Sequence, residues 1–124
     1  MPKIKTMVTW TDEPAAQNYP SAASYLTLLY KKSEVQRLVG KLEKGAMASF
    51  KAKDIFRASG LPMLPLNNSH VKKDERKIVR GSALSPLLLV RDSAHGKLII
   101  ADGYHRLCAV YAFNEDAVIP CKIV

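Results

Sequence analysis

Apolar residues along the chain fall at helical spacing in some stretches and in short continuous runs in others, the pattern of helices interleaved with buried strands. The first 19 residues have weak periodicity, and Thr11-Asp12-Glu13-Pro14 reads as an irregular arm. Pro20 sits where a first-turn proline is tolerated, and Ala22, Ala23, Tyr25, Leu26, Leu28 and Leu29 predict a helical apolar face running to about Tyr30. Ser33-Glu34-Val35-Gln36 matches a capping box, in which Ser33 bonds the Gln36 backbone N–H and the Gln36 side chain reaches back. Val35, Leu38, Val39 and Leu42 continue that second helix until Gly45 stops it.

Lys51 to Gly60 predicts a short third helix with a glycine C-cap, and Leu61 to Leu66, carrying Pro62 and Pro65, an extended connector. Asn67-Asn68-Ser69-His70 supplies turn and N-cap chemistry for a fourth helix over Val71 to Val79, which Gly81 ends. Leu87 to Val90 reads as a buried strand, Asp92 to Gly96 as a hairpin-type loop and Lys97 to Ala101 as the partner strand. Past the Asp102-Gly103 turn, Leu107, Val110 and Tyr111 give another helix face, and Val118 to Val124 closes the sequence as a strand. No repeat, low-complexity tract or linker interrupts this order, so the expectation is one α/β (α+β) domain.

The chemistry concentrates at Asp102-Gly103-Tyr104-His105-Arg106, where a strand turns into a helix. A helix N-terminus carries unpaired N–H groups and about half a positive charge, so anions collect there. Basic residues in a first turn oppose that dipole unless an anion sits nearby, and an arginine fork suits phosphate. Without any ligand, Asp102 serves as an N-cap, Gly103 allows positive φ, and His105 and Arg106 are solvated. Charge leans the same way as the turn: 19 Lys and Arg against 11 Asp and Glu leave a net +8 over 124 residues, which favours anionic partners but also fits a merely solvated basic surface. Cys108 and Cys121, with three scattered histidines, offer no metal-ligand spacing and read as buried free thiols of a reducing cytoplasm. The basic N-terminus lacks the apolar core of a signal peptide, and no stretch approaches the roughly 18 apolar residues of a membrane helix, so a cytoplasmic protein is expected.

From about Phe50 to Val124, about three fifths of the sequence, the order of elements resembles the ParB/sulfiredoxin superfamily. The shared features are a helix, a Pro-containing strand (Leu84-Ser85-Pro86-Leu87-Leu88-Leu89-Val90), a hairpin, a glycine turn ending in arginine, a helix, and a final Ile-Pro strand (Ile119-Pro120-Cys121-Lys122-Ile123-Val124). The resemblance implies a small mixed sheet with packed helices, residues 50–124 forming the core and residues 1–49 an N-terminal arm and helical extension of the same domain. It also implies that the turn cradles phosphate, with backbone groups of Gly103, Tyr104 and His105 and the Arg106 side chain as ligands. The Asn68-Ser69-His70 helix start would face the same cleft. Tyr19 to Leu26 also resembles the helix start of short stand-alone bacterial members whose activity is not defined.

Departures from the family pattern narrow the function. ParB partition proteins continue into a helix-turn-helix and a dimerisation segment, whereas this sequence stops at Val124. Their Gly-Glu-Arg-Arg box is Gly103-Tyr104-His105-Arg106 here, and no arginine lies in Asn67-Asn68-Ser69-His70. Sulfiredoxins carry a catalytic cysteine where Tyr104 stands, and Cys108 lies about a helical turn further on. Asp-Gly-x-His-Arg is nearer to the small-molecule kinase branch, where an acid acts as base on an acceptor hydroxyl and Mg²⁺ spreads phosphate charge. The resulting expectation is a nucleotide- or phosphometabolite-binding domain, with phosphotransfer or ATPase chemistry using ATP or another nucleotide with Mg²⁺, and with Asp102 and His105 as catalytic candidates. Asp54 and Asp74 are further acids to consider, Lys51 and Lys53 candidate phosphate guides, and Trp10 and Tyr19 core or pocket aromatics. The alternatives are a non-enzymatic nucleic-acid-binding or regulatory module that uses the basic surface, and an interaction protein that kept the fold and lost its ligand.

Overall fold

The computed structural model describes residues 7–124. Its elements run α1 (Asn18–Leu26), α2 (Lys32–Lys44), β1 (Ala48–Lys51), α3 (Ala52–Ser59), α4 (Ser69–Arg80), β2 (Leu87–Asp92), β3 (Lys97–Asp102), α5 (Tyr104–Phe113) and β4 (Val118–Ile123). The four strands form one mixed sheet in the order β1-β4-β2-β3. β4 runs parallel to β2 and antiparallel to β1, and β2 and β3 form an antiparallel hairpin. This is an α/β fold.

β2 explains why the sheet has helices on both sides. Successive strand residues point to opposite faces, and every residue of Leu87-Leu88-Leu89-Val90 is buried. Leu87 and Leu89 join Ile55, Phe56, Val71, Ile78, Leu107 and Ile119 beneath α3, α4 and α5. Leu88 and Val90 join Ala22, Leu26, Val35, Leu38 and Leu42 beneath α1 and α2. A continuous apolar run is thus the sequence form of a strand covered on both faces.

Several boundaries differ from the sequence expectation. α1 starts at Asn18 and ends at Leu26, so only the Ala22 and Leu26 part of the expected stripe is buried, while Tyr25, Leu28 and Leu29 are exposed. The capping box at Ser33 does not form: Ser33 lies inside α2, and the N-cap, Lys31, makes no side-chain cap bond. α4 begins at Ser69, two residues early, because the Asn68 side chain accepts from the backbone N–H groups of His70 at 3.0 Å and Val71 at 3.2 Å. β1 was not expected. It carries one large apolar residue, Phe50, and straddles the division drawn between residues 49 and 50. Gly60 and Gly81 close α3 and α4 in the left-handed conformation, as the sequence predicts.

From Met7 to Gln17 the arm is irregular but fastened, and the part of it expected before Met7 lies outside the described residues. Trp10 bridges Leu84, whose N–H donates to the Thr9 carbonyl and whose carbonyl accepts from Thr11 N–H. The Ser85 hydroxyl accepts from Ala15 N–H and from the Asn18 amide. Trp10 packs on the α3–α5 side of the core and Tyr19 on the α1–α2 side, beside the buried Lys122. Cys108 and Cys121 are buried free thiols, and burial pushes Cys121 up to about 11. Among the described residues no helix is long and apolar enough to cross a membrane.

Candidate functional site

The turn between β3 and α5 is built on one glycine. Gly103 is the N-cap of α5 with φ 108°, a conformation that L side chains rarely adopt. A Cβ placed there would lie 2.7 Å from Leu87 Cγ and 3.0 Å from the Arg106 guanidinium, so the turn also needs the space. Just before it the β2–β3 register shifts: Leu89 pairs Ile100 while Leu88 pairs Asp102, leaving Ala101 as an extra residue. Such bulges re-aim the side chains beside them.

Asp102 does not cap α5, contrary to the expectation from its position. It ends β3, and its carboxylate accepts from Arg106 Nη2 at 2.8 Å, one helical turn on. The pair is largely removed from solvent, with side chains only 17% and 12% exposed. Asp102 is therefore the anion that offsets Arg106 in the first turn. Arg106 Nη2 also approaches the Pro86 carbonyl at 3.4 Å, while its Nε is buried with no partner. A buried guanidinium N–H without an acceptor is costly, and native structures leave few such groups unsatisfied. With glycine at the N-cap, no side chain accepts from the first N–H groups of α5.

α4 packs against α5 and forms the other wall. His70, Lys73, Asp74 and Lys77 fall at helical spacing along one side of α4 and face Asp102, Gly103, His105 and Arg106 across a cleft of about 260 Å³. The His70 and His105 rings stand 4.8 Å apart. Burial pushes the Asp74 carboxyl above its usual range, although the positive charges of Arg106, Lys77, His105 and Lys73 pull it back. Burial pulls His105 below the ordinary imidazole value, helped by His70 and Arg106 and opposed by Asp74, so the site favours the uncharged ring.

Of the residues singled out in the sequence, the fold gathers Asp102, Gly103, His105, Arg106, His70 and Asp74 around this cleft. Asn68 and Ser69 do not line it: Asn68 is spent on capping α4, and Ser69 is exposed. The Tyr104 side chain turns away, donating its hydroxyl to the Pro62 carbonyl and fastening the connector over α5. Lys51 and Lys53 lie elsewhere, Lys53 pairing with Asp116 at 2.7 Å. Asp54 opens on a larger cavity of about 400 Å³, whose walls include Phe50, Ile55, Ala58, Leu98 and Ile123. That cavity is roomier but mainly apolar, and the convergent titratable groups are in the smaller cleft. His95 is exposed and sits 2.9 Å from Asp92 in the hairpin loop.

Lys73, Lys77 and the placement of Asp74 are what the sequence reading missed. Their signal was present, since positions 70, 73, 74 and 77 share a helix side, but it needed α5 as a neighbour to become a site. Cys108 lies buried on α5, where burial pushes its thiol up and the neighbouring Leu64 backbone and Tyr104 only partly offset this. That is the setting of an unreactive thiol.

Compared with protein-family models, with curated proteins and with solved structures, the chain matches none.

Proposed function

We propose that this protein is a ParB/sulfiredoxin-like domain that binds a nucleotide or phosphometabolite by its phosphate end in the α4–α5 cleft. The observation that carries the reading is the cleft itself: Lys73, Lys77 and Arg106 converge on the uncapped N-terminus of α5, beside a buried Arg106 Nε that lacks an acceptor. Helix N-terminus, fork and ammonium groups are complementary to a phosphoryl group. The volume, about 260 Å³, lies below the roughly 300–1,000 Å³ of drug-sized pockets, so it suits a phosphoryl group with a small attached fragment, leaving a larger ligand partly outside.

Phosphotransfer is an extension of this reading. Asp102 was the first candidate for the base, but its ion pair with Arg106 occupies it. Asp74, with its raised carboxyl, and His105, whose uncharged form burial favours, are better placed to take a proton from an acceptor hydroxyl. Mg²⁺ is usually held by one or two carboxylates together with substrate phosphates, and Asp74 is the cleft carboxylate able to contribute, since Asp102 is engaged in its ion pair. When bound, the ion would neutralise charge on the transferring group.

A thermal-shift screen of nucleoside phosphates, sugar phosphates and phosphoamino acids, with and without Mg²⁺, tests the reading. A true ligand at about a hundred times its Kd adds roughly 2.7 kcal/mol to stability. The gain should disappear in Lys73→Ala/Lys77→Ala, which leaves the Arg106–Asp102 pair intact. Stabilisation that persists in that variant, or no stabilisation by any phosphate, would sink the proposed site.

A further inference from the structure

The side of α4 that faces away from the core carries a second feature. Lys72, Lys73, Arg76, Lys77 and Arg80 occupy two rows at i, i+4 spacing, opposite the buried stripe of Val71, Asp74 and Ile78. Lys72, Lys73, Arg76 and Arg80 are exposed and Lys77 is half-buried. None of the five pairs with an acid among the described residues, whereas Arg37, Lys53, Arg57 and Arg106 elsewhere each do. Like charges at i, i+4 destabilise a helix by about 0.2–0.5 kcal/mol per pair, and this helix holds three such pairs, 72–76, 73–77 and 76–80. Its first turn holds no acid to favour the dipole either. By the rules of isolated helix stability, this surface is better suited to an external anion than to the helix alone.

We infer that the outward face of α4 is a docking surface for the phosphate backbone of double-stranded DNA, bound without regard to sequence. Three considerations select this partner. At 1.5 Å per residue the cations from Lys72 to Arg80 span about 12 Å, and duplex DNA carries about one charge per 1.7 Å of axis, a density comparable with five cations over that length. Single strands are bound with aromatic stacking platforms, and α4 offers no Phe, Tyr or Trp. An α-helix also fits against the B-form major groove, while the deep, narrow groove of A-form RNA does not admit side chains. The inference is confined to backbone contact because Lys and Arg supply donors to phosphate oxygens, and α4 has no Asn or Gln to pair with adenine.

Fluorescence anisotropy with a labelled 20-base-pair DNA of mixed sequence tests the inference. Engaging about three to five phosphates, the wild-type protein should show a log–log salt slope of about −2.7 to −4.5, a loss of roughly 40- to 500-fold in affinity between 50 and 200 mM NaCl. Lys72→Gln/Arg76→Gln/Arg80→Gln should weaken binding at 50 mM NaCl at least about tenfold and flatten the slope by about 3, while single Arg76→Gln should flatten it by about 1. Lys31→Gln/Lys41→Gln/Lys44→Gln removes the same charge at exposed positions on the opposite layer and should change affinity far less. No saturable binding by wild type, equal losses in the two triple variants, or tighter binding of a matched RNA duplex or single strand would each overturn the inference. The phosphate cleft is separable from it: Lys72, Arg76 and Arg80 do not line that cleft.

Discussion

Asp74 shows at the level of one residue how the cleft is kept in tension. Its carboxyl is raised because burial outweighs the attraction of the neighbouring basic groups, Arg106 and Lys77 foremost, so ionising it works against the fold. A group whose folded pKa exceeds its unfolded value, about 3.9 for Asp, stabilises fully below the unfolded pKa and loses that contribution as pH rises through the folded one. Replacing Asp74 by Asn removes the ionisation and keeps the shape. Asp74→Asn should therefore melt at a higher temperature than wild type near pH 7. The advantage should shrink towards pH 3, where wild-type Asp74 is protonated. Calorimetric melting at pH 3, 5 and 7 checks this, and an advantage that is constant across pH, or largest in acid, would contradict the assignment. Arg106 is the opposite case. Its partner Asp102 is slightly more buried than Arg106 itself, so truncating either side leaves an uncompensated charge and damages the fold along with any site.

At the scale of elements, α4 depends on one side chain for its start. Asn68 accepts from two first-turn N–H groups and so sets where His70, Lys73, Asp74 and Lys77 stand opposite α5. Asn68→Ala should cost about 1 kcal/mol, within the roughly 0.5–2 kcal/mol range for lost caps, read as a lower urea midpoint with unchanged slope. This cap was legible in the sequence because Asn followed by Ser before a periodic run has a local physical meaning. So were Gly60 and Gly81 as helix ends, the β2–β3 hairpin, and the strand-turn-helix corner at Gly103. Features set by tertiary context were not legible. The Ser33 capping box met every local requirement, yet α2 begins at Lys32 and leaves Ser33 inside it. Leu28 and Leu29 fitted a helical stripe, but α1 ends at Leu26 and both are exposed. β1 escaped notice because a four-residue edge strand is defined by pairing with β4, as Ala48 with Cys121 and Lys51 with Val118, rather than by its own pattern. Asp102 looked like a cap, and only the geometry of the bulged corner shows that it serves Arg106 instead.

For the whole molecule the decisive property is that one strand belongs to two cores. Leu87 and Leu89 support the layer that builds the cleft, while Leu88 and Val90 support the layer of α1 and α2. Lys122 adds a polar tie: it is buried on β4, and its ammonium donates to the Glu43 carbonyl at 3.0 Å, near the end of α2. Loss of packing on the α1–α2 side should then unfold the cleft as well, instead of melting a detachable extension. Leu26 is fully buried on that side, and Leu26→Ala should destabilise by about 2–5 kcal/mol. Trp10, the single tryptophan, packs on the opposite side, against the α3–α5 core, and so reports on the other layer. In Leu26→Ala the denaturation midpoint seen by Trp10 fluorescence should fall together with that seen by far-ultraviolet circular dichroism, as coincident probes do in a two-state transition. A dichroism midpoint that drops while the Trp10 midpoint stays at its wild-type value would mean that the helices unfold alone. In that case the N-terminal layer is an appendage, and the stability of the cleft must come from the α3–α5 side by itself.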